Sequence, residues 1–111
     1  MEELIEPIAN FLKVLADITR LKIIKFLKDS ENTANNIQTA MKKSQSTISQ
    51  QLKILTNADI LEVRRVGAKK VYKIKNTQIF DVISFINTYL SSITKDKIED
   101  LVSLDILDTL H

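Results

Sequence analysis

Few residues in this chain could do covalent chemistry. It has no cysteine and a single histidine, His111, at the last position. Thiol nucleophiles, disulfides and Cys-ligated zinc or iron are therefore excluded, and a lone imidazole at a chain end is no positioned general base. Adjacent carboxylates such as Glu99 and Asp100 fall in a polar terminal helix, where a solvated face is the default. Gly67 is the only glycine, so no glycine-rich loop can cradle a phosphate. No catalytic residue, metal ligand or cofactor is assigned, and binding is favoured over catalysis.

The polar residues that stand out belong to "SQSTISQQLKIL", residues 44–55. Ile48, Leu52 and Leu55 recur at the helical period, yet the remaining positions carry hydroxyls and amides where solvated helices usually carry Glu and Lys. Gln45, Ser46, Ser49, Gln50 and Lys53 lie away from the apolar stripe, with Thr47 at its border. Such side chains donate to and accept from base edges and phosphates without the bias of a full charge. Gln50 has the geometry to pair bidentately with adenine, and Lys53 suits phosphate. The bland alternative is that Ser44 and Thr47 cap the helix and the glutamines are merely solvated.

Charge is distributed unevenly. Residues 42–75 carry nine Lys or Arg against two Asp or Glu, whereas residues 1–41 carry five against six and residues 76–111 two against six. A local excess of seven positive charges suits a polyanion, because Lys and Arg neutralise phosphates with release of counterions; a solvated lysine-rich surface is the alternative.

These residues need a scaffold, and the periodicity supplies one. Leu4, Ile8, Phe11, Leu12 and Leu15 make an amphipathic helix over 3–16, with Pro7 near its start. Asp17 caps a second helix, "ITRLKIIKFLK", with Leu21, Ile24 and Leu27 or Phe26 on its apolar side. "DSENT" breaks the pattern, Thr33 caps a short helix "ANNIQTAMK", and "KKS" turns into the polar helix, capped by Ser44. Two short helices joined by a tight turn make a helix-turn-helix. "ILEVRRVGAKKVYKIK" alternates like strands around Gly67, which supplies positive φ, and so predicts a hairpin bearing Arg64, Arg65, Lys69, Lys70, Lys73 and Lys75. From Thr77 the period is helical again, with Ile79, Val82, Ile83, Ile86, Leu90 and Ile93 in one stripe, followed by a weaker amphipathic segment to the chain end.

At 111 residues, 44% of them hydrophobic, the chain suits a single domain spanning 1–111. The fold class expected is mainly α with a small β-hairpin, in the winged helix-turn-helix order. The acidic N-terminus is not a signal peptide, and no apolar run reaches membrane-spanning length, so a cytoplasmic protein without a membrane partner is expected.

"LADITRLKIIKFL" resembles the LADPTRLRIL signature of the ArsR/SmtB winged-helix transcriptional regulators, and "SQSTISQQLKILTNADILEVRRVGAKKVYKI" is similar to their recognition helix and wing. The likeness runs from about Phe11 to Ile74. Ile18 stands where the family usually has proline, Asp59 replaces a common glycine, and "MKKS" replaces the usual LGLS turn. The resemblance implies a homodimer built from the first and last helices, with two recognition helices entering successive major grooves of double-stranded DNA, and more often a repressor than an activator. Lys43, Ser44, Gln45, Ser46, Thr47, Ser49, Gln50, Lys53, Arg64, Arg65, Lys69 and Lys70 are the expected DNA-binding residues. Ile8, Leu12, Ile79, Ile83, Ile86 and Leu90 are the expected dimer interface, unless they belong wholly to the core.

The family's sensing sites have no counterpart. The helix before the recognition helix lacks cysteine, and positions corresponding to the second type of metal site, starting from Asp81, hold Ile83, Thr94 and Lys97, of which none ligates a transition metal. Thiol sensing fails for the same want of cysteine. The effector is left unassigned. A non-specific architectural DNA-binding protein and a protein-interaction winged helix remain the alternatives.

Overall fold

A computed structural model describes the backbone of residues 1–110 and the side chains of residues 1–101; His111 lies outside the described residues. Five helices and three short strands follow in the order α1 (Glu2–Leu15), α2 (Ile18–Phe26), β1 (Asn32–Thr33), α3 (Ala34–Met41), α4 (Gln45–Asn57), β2 (Leu61–Val66), β3 (Lys69–Ile74) and α5 (Gln78–Leu110). They form two compact units, one comprising residues 1–76 and the other beginning at Thr77. The first is a winged helix-turn-helix.

The starts of α2, α3 and α4 each have a local cause. Asp17 accepts from the Arg20 N–H at 3.0 Å, Thr33 from the Asn36 N–H and Ser44 from the Thr47 N–H, both at 3.2 Å. Each such cap satisfies an amide that the first helical turn leaves without a partner. Ile18 is the first residue of α2, a position that proline also tolerates because its N–H would bond nothing within the helix.

Helix ends rely on left-handed backbone. Asp59 (φ 60) closes α4, with the Asp59 N–H donating to Thr56 O and the Ile60 N–H to Leu55 O, both at 3.1 Å. This is the Schellman arrangement, sealed by buried Ile60 and Leu55. Lys42 (φ 56) closes α3 in the same conformation and lets the chain turn within three residues into α4. A lysine there carries a Cβ that glycine would lack.

The sequence pattern predicts a two-stranded hairpin after α4, and the structure adds a third strand. Asn32 and Thr33, within the segment read as a break, pair antiparallel with Tyr72 and Val71, giving the order β1-β3-β2. Two residues are too few for alternation to register, so only the pairing defines the strand. The hairpin register runs from Leu61 opposite Ile74 to Val66 opposite Lys69. Gly67 takes φ +65 at the first turn position while Ala68 keeps negative φ, the type II′ combination; a Cβ at Gly67 would meet nothing, so conformation rather than space selects glycine.

The core of this unit joins Ile23 and Ile24 of α2 and Leu27 at its C-cap, Ile37 of α3, Ile48, Leu52 and Leu55 of α4, and Leu61 and Tyr72 of the sheet. One expectation for α2 is corrected. Ile23, absent from the predicted stripe, is fully buried, whereas Leu21 is exposed, because α2 packs against both α3 and α4 and so buries the adjacent pair Ile23 and Ile24.

Arg20 fixes α4 against the other helices. Its side chain is 13% exposed, and its guanidinium donates to Val14 O (2.6 Å), Lys13 O (3.1 Å) and Gln51 Oε1 (2.6 Å). Both carbonyls lie at the C-terminal end of α1, where a cation is the sign a helix prefers; Lys13 O also accepts the Ala16 N–H at 3.3 Å.

The second unit is α5, 33 residues long and thus about 50 Å from end to end. Its apolar stripe includes Val82, Ile86 and Leu90, flanked by Phe85 and Tyr89, all exposed. No described helix is long and apolar enough to cross a membrane.

Two stability tests follow from these contacts. Lys42→Gly should raise unfolding free energy by roughly 0.5–1 kcal/mol, the relief of left-handed strain outweighing the entropy of the freer unfolded chain. Arg20→Met should cost roughly 1–3 kcal/mol and Gln51→Leu roughly 0.5–1.5 kcal/mol, since each strands part-buried polar partners. Urea unfolding midpoints of the three variants against the wild type provide the measurement.

Candidate nucleic-acid interface

The polar side of α4 divides into regions with different neighbours. Opposite the buried stripe, Ser46, Gln50 and Lys53 stand open to solvent. On one flank, Gln45 and Ser49 face the wing across a groove of about 360 Å³, whose walls include Asn35 and Gln38 of α3 and Arg65 and Lys70 of the wing, with Ile48, Leu52 and Tyr72 at its base. On the other flank Gln51 is taken by Arg20. Only helix packing distinguishes three adjacent residues such as Ser49, Gln50 and Gln51.

Two of the expected site residues serve the helix itself. Ser44 is the N-cap of α4, and its hydroxyl donates to Thr47 Oγ1 at 2.8 Å. Thr47 is half-buried. Lys43 projects from the turn between α3 and α4 and is exposed, which places a cation one residue before a helix N-terminus.

The hairpin pleat sorts the wing cations by face. Residues paired across strands share a face, so Arg65 and Lys70 stand with Val63, Tyr72, Leu61 and Ile74 on the side toward the helices, while Arg64, Val66, Lys69, Val71, Glu62 and Lys73 form the outer side. On the outer side two carboxylates intervene. Glu31, just before β1, grips Arg64 with both oxygens, and Lys73 lies 3.0 Å from Glu62. The Arg64 hydrogen bonds hold the Glu31 carboxyl below the usual carboxylate range, and the same pairing pushes the Arg64 guanidinium up. At the base of the wing, Lys75 meets Asp59 at 2.9 Å, and this contact raises the lysine's pKa.

The basic middle of the chain is therefore not uniformly available. Among the described residues, ion pairs occupy Arg64, Lys73 and Lys75 but none of Lys43, Lys53, Arg65, Lys69 and Lys70. Sequence patterning missed Glu31, Arg20 and Gln51. Glu31 and Arg64 are 33 residues apart, and no periodicity links positions across that distance.

The expected interface residues on the first and last helices also differ in environment. Ile8 and Leu12 of α1 are exposed, together with Leu4 and Ile5. Ile86 and Leu90 of α5 are exposed, Ile83 is half-buried, and Ile79, at 6% exposure, has little surface left for a partner. Among the described residues no three His, Cys, Asp or Glu side chains converge as a metal site would require.

The profile of the bacterial regulatory protein arsR family matches residues 17–63, which span α2, the helix-turn-helix and the start of the wing. The transcriptional repressor SdpR of Bacillus subtilis is 30% identical over 82 residues, covering 74% of this chain and 91% of SdpR. The transcriptional repressor SmtB homolog of Synechocystis sp. is 31% identical over 77 residues, 69% of this chain but only 58% of that longer protein. Among solved structures, the homodimeric winged helix-turn-helix DNA-binding domain Mb0332 of Mycobacterium bovis superposes with a TM-score of 0.71 at 26% identity, covering 81% of this chain and 83% of that one. With nearly all of SdpR aligned and the helix-turn-helix matched in register, this chain belongs to the arsR family of bacterial regulatory proteins.

Proposed function

We propose that the protein is a cytoplasmic, sequence-specific DNA-binding transcriptional repressor that works as a homodimer, by binding rather than by catalysis. One observation carries this reading: within the basic stretch 42–75, six cations on the recognition helix, the turn before it and the wing, Lys42, Lys43, Lys53, Arg65, Lys69 and Lys70, have no carboxylate partner among the described residues. The relatives' names, repressors among them, agree with it.

The roles follow from the surroundings of each side chain. Ser46, Gln50 and Lys53 occupy the open side of α4, so in a major groove Ser46 and Gln50 meet base edges and Lys53 reaches a phosphate. Gln45 and Ser49 line the groove with Arg65 and Lys70 and so serve the DNA backbone, which positions the helix without reading sequence. Ser44 and Thr47 act through the helix start, whose amides and Lys43 attract a phosphate. Lys69, beside the wing turn, reaches toward the adjacent minor groove.

Dimerisation accounts for the uncovered apolar side chains. Leu4, Ile5, Ile8 and Leu12 of α1 and Val82, Ile86 and Leu90 of α5 are all exposed, an excess that a partner's surface would remove from water. The homodimeric state of Mb0332 supports dimerisation as such; in the proposed interface Ile83 lies at the edge and Ile79 contributes little. The effector is unassigned.

Binding of the purified protein to its own upstream DNA and to a scrambled duplex, at about 50 and 200 mM salt, tests the reading. A preference that survives the higher salt with two protomers per site is expected; equal, steeply salt-sensitive binding to both would make it an architectural protein. Gln50→Ala should cost roughly 1–3 kcal/mol on the preferred site and little on random DNA, whereas Lys70→Ala should weaken both and lower the salt slope by about one. Equal losses on both duplexes for Gln50→Ala would remove base readout from the account.

A further inference from the structure

The wing holds two adjacent arginines in opposite circumstances. Arg65 faces the groove and is paired with no carboxylate, whereas Arg64, on the outer side, has its guanidinium fork filled by Glu31. Glu31 comes from the far side of the sheet. The pairing of Asn32 with Tyr72 sets it beside Lys73, and from there its side chain crosses β3 to reach Arg64 on β2. Lys73 does not take it, being engaged by Glu62 at 3.0 Å.

A guanidinium fork accepts a carboxylate and a phosphate in the same two-pronged geometry. Both partners here are well exposed, with side-chain exposures of 51% for Arg64 and 40% for Glu31, so water already competes with the pair and another anion can reach it. Arg64 shares its face of the sheet with Lys69, the cation next to the wing turn.

We propose that Glu31 is an internal competitor of DNA phosphate. In the free protein its carboxylate fills the Arg64 fork; when a duplex is held, a backbone phosphate takes that place and Glu31 is left beside the polyanion. The proposal rests on the DNA-binding reading above and extends it to a residue outside the helix-turn-helix and wing. Glu31 lowers affinity for any duplex alike, because phosphate contacts carry no sequence information, and so leaves base readout by α4 to decide where the protein stays.

The experiment is a double-mutant cycle with Glu31→Gln, Arg64→Gln and the double variant, each titrated against the preferred and the scrambled duplex over a range of salt. Glu31→Gln should tighten binding to both duplexes several-fold and steepen the salt dependence by up to about one, because no carboxylate then offsets the Arg64 charge at its phosphate. In the Arg64→Gln background the same substitution should lose most of that gain. An equal gain in both backgrounds would show that Glu31 acts only as a distant charge, and no gain in either would show that the fork meets no phosphate; each result overturns the proposal while leaving wild-type DNA binding intact. A wild type that binds neither duplex would overturn the DNA-binding reading and this inference together.

Discussion

Three helices meet at the guanidinium of Arg20, and the orientation of the recognition helix depends on that meeting. Its donors go to the Lys13 and Val14 carbonyls at the end of α1 and to Gln51 on α4, while its own helix is capped by Asp17, three residues earlier. Apolar packing of Ile48, Leu52 and Leu55 is strong but non-directional, and it permits α4 to rotate by a fraction of a turn at small cost. Hydrogen bonds from a planar fork do not. By pinning Gln51 on one flank, Arg20 fixes which residues of α4 look outward, and it links that choice to the helix whose exposed apolar side invites a partner.

The wing shows a similar economy in charge. Pleating sends neighbouring residues of β2 to opposite faces, so the two consecutive arginines experience different surroundings despite identical chemistry. On the outer face acidic and basic side chains alternate across the strands and largely cancel. The positive field is concentrated instead at the wing turn, the groove and the open side of α4. A count of charge over residues 42–75 overstates what a polyanion meets, because Glu31 lies outside that window and is brought in by a two-residue strand.

Left-handed backbone at Lys42 and Asp59 explains how the helix-turn-helix tolerates departures from glycine. Both positions need positive φ to end a helix, and a lysine or an aspartate adopts it when the flanking packing holds the turn closed. At Asp59 the carboxylate also meets Lys75, tying the end of α4 to the end of β3. Lys42 has no such compensation among the described ion pairs, so its turn is held by the backbone bonds to Gln38 and Thr39 and by the buried Ile37 below it.

Much of this molecule is legible from the sequence alone. Caps at Asp17, Thr33 and Ser44, the period of α4, the glycine of the wing and the clustered cations are local signals: each is set by a residue and its neighbours within one turn or one strand, where intrinsic conformational preference dominates. Strand β1, the burial of Ile23 rather than Leu21, the division of α4 into open and engaged flanks, and the capture of Arg64 by Glu31 were decided only in three dimensions. Each depends on which surface another element presents across tens of residues of chain, and hydrophobic periodicity records that a face is buried without recording what covers it or which polar group waits at its edge.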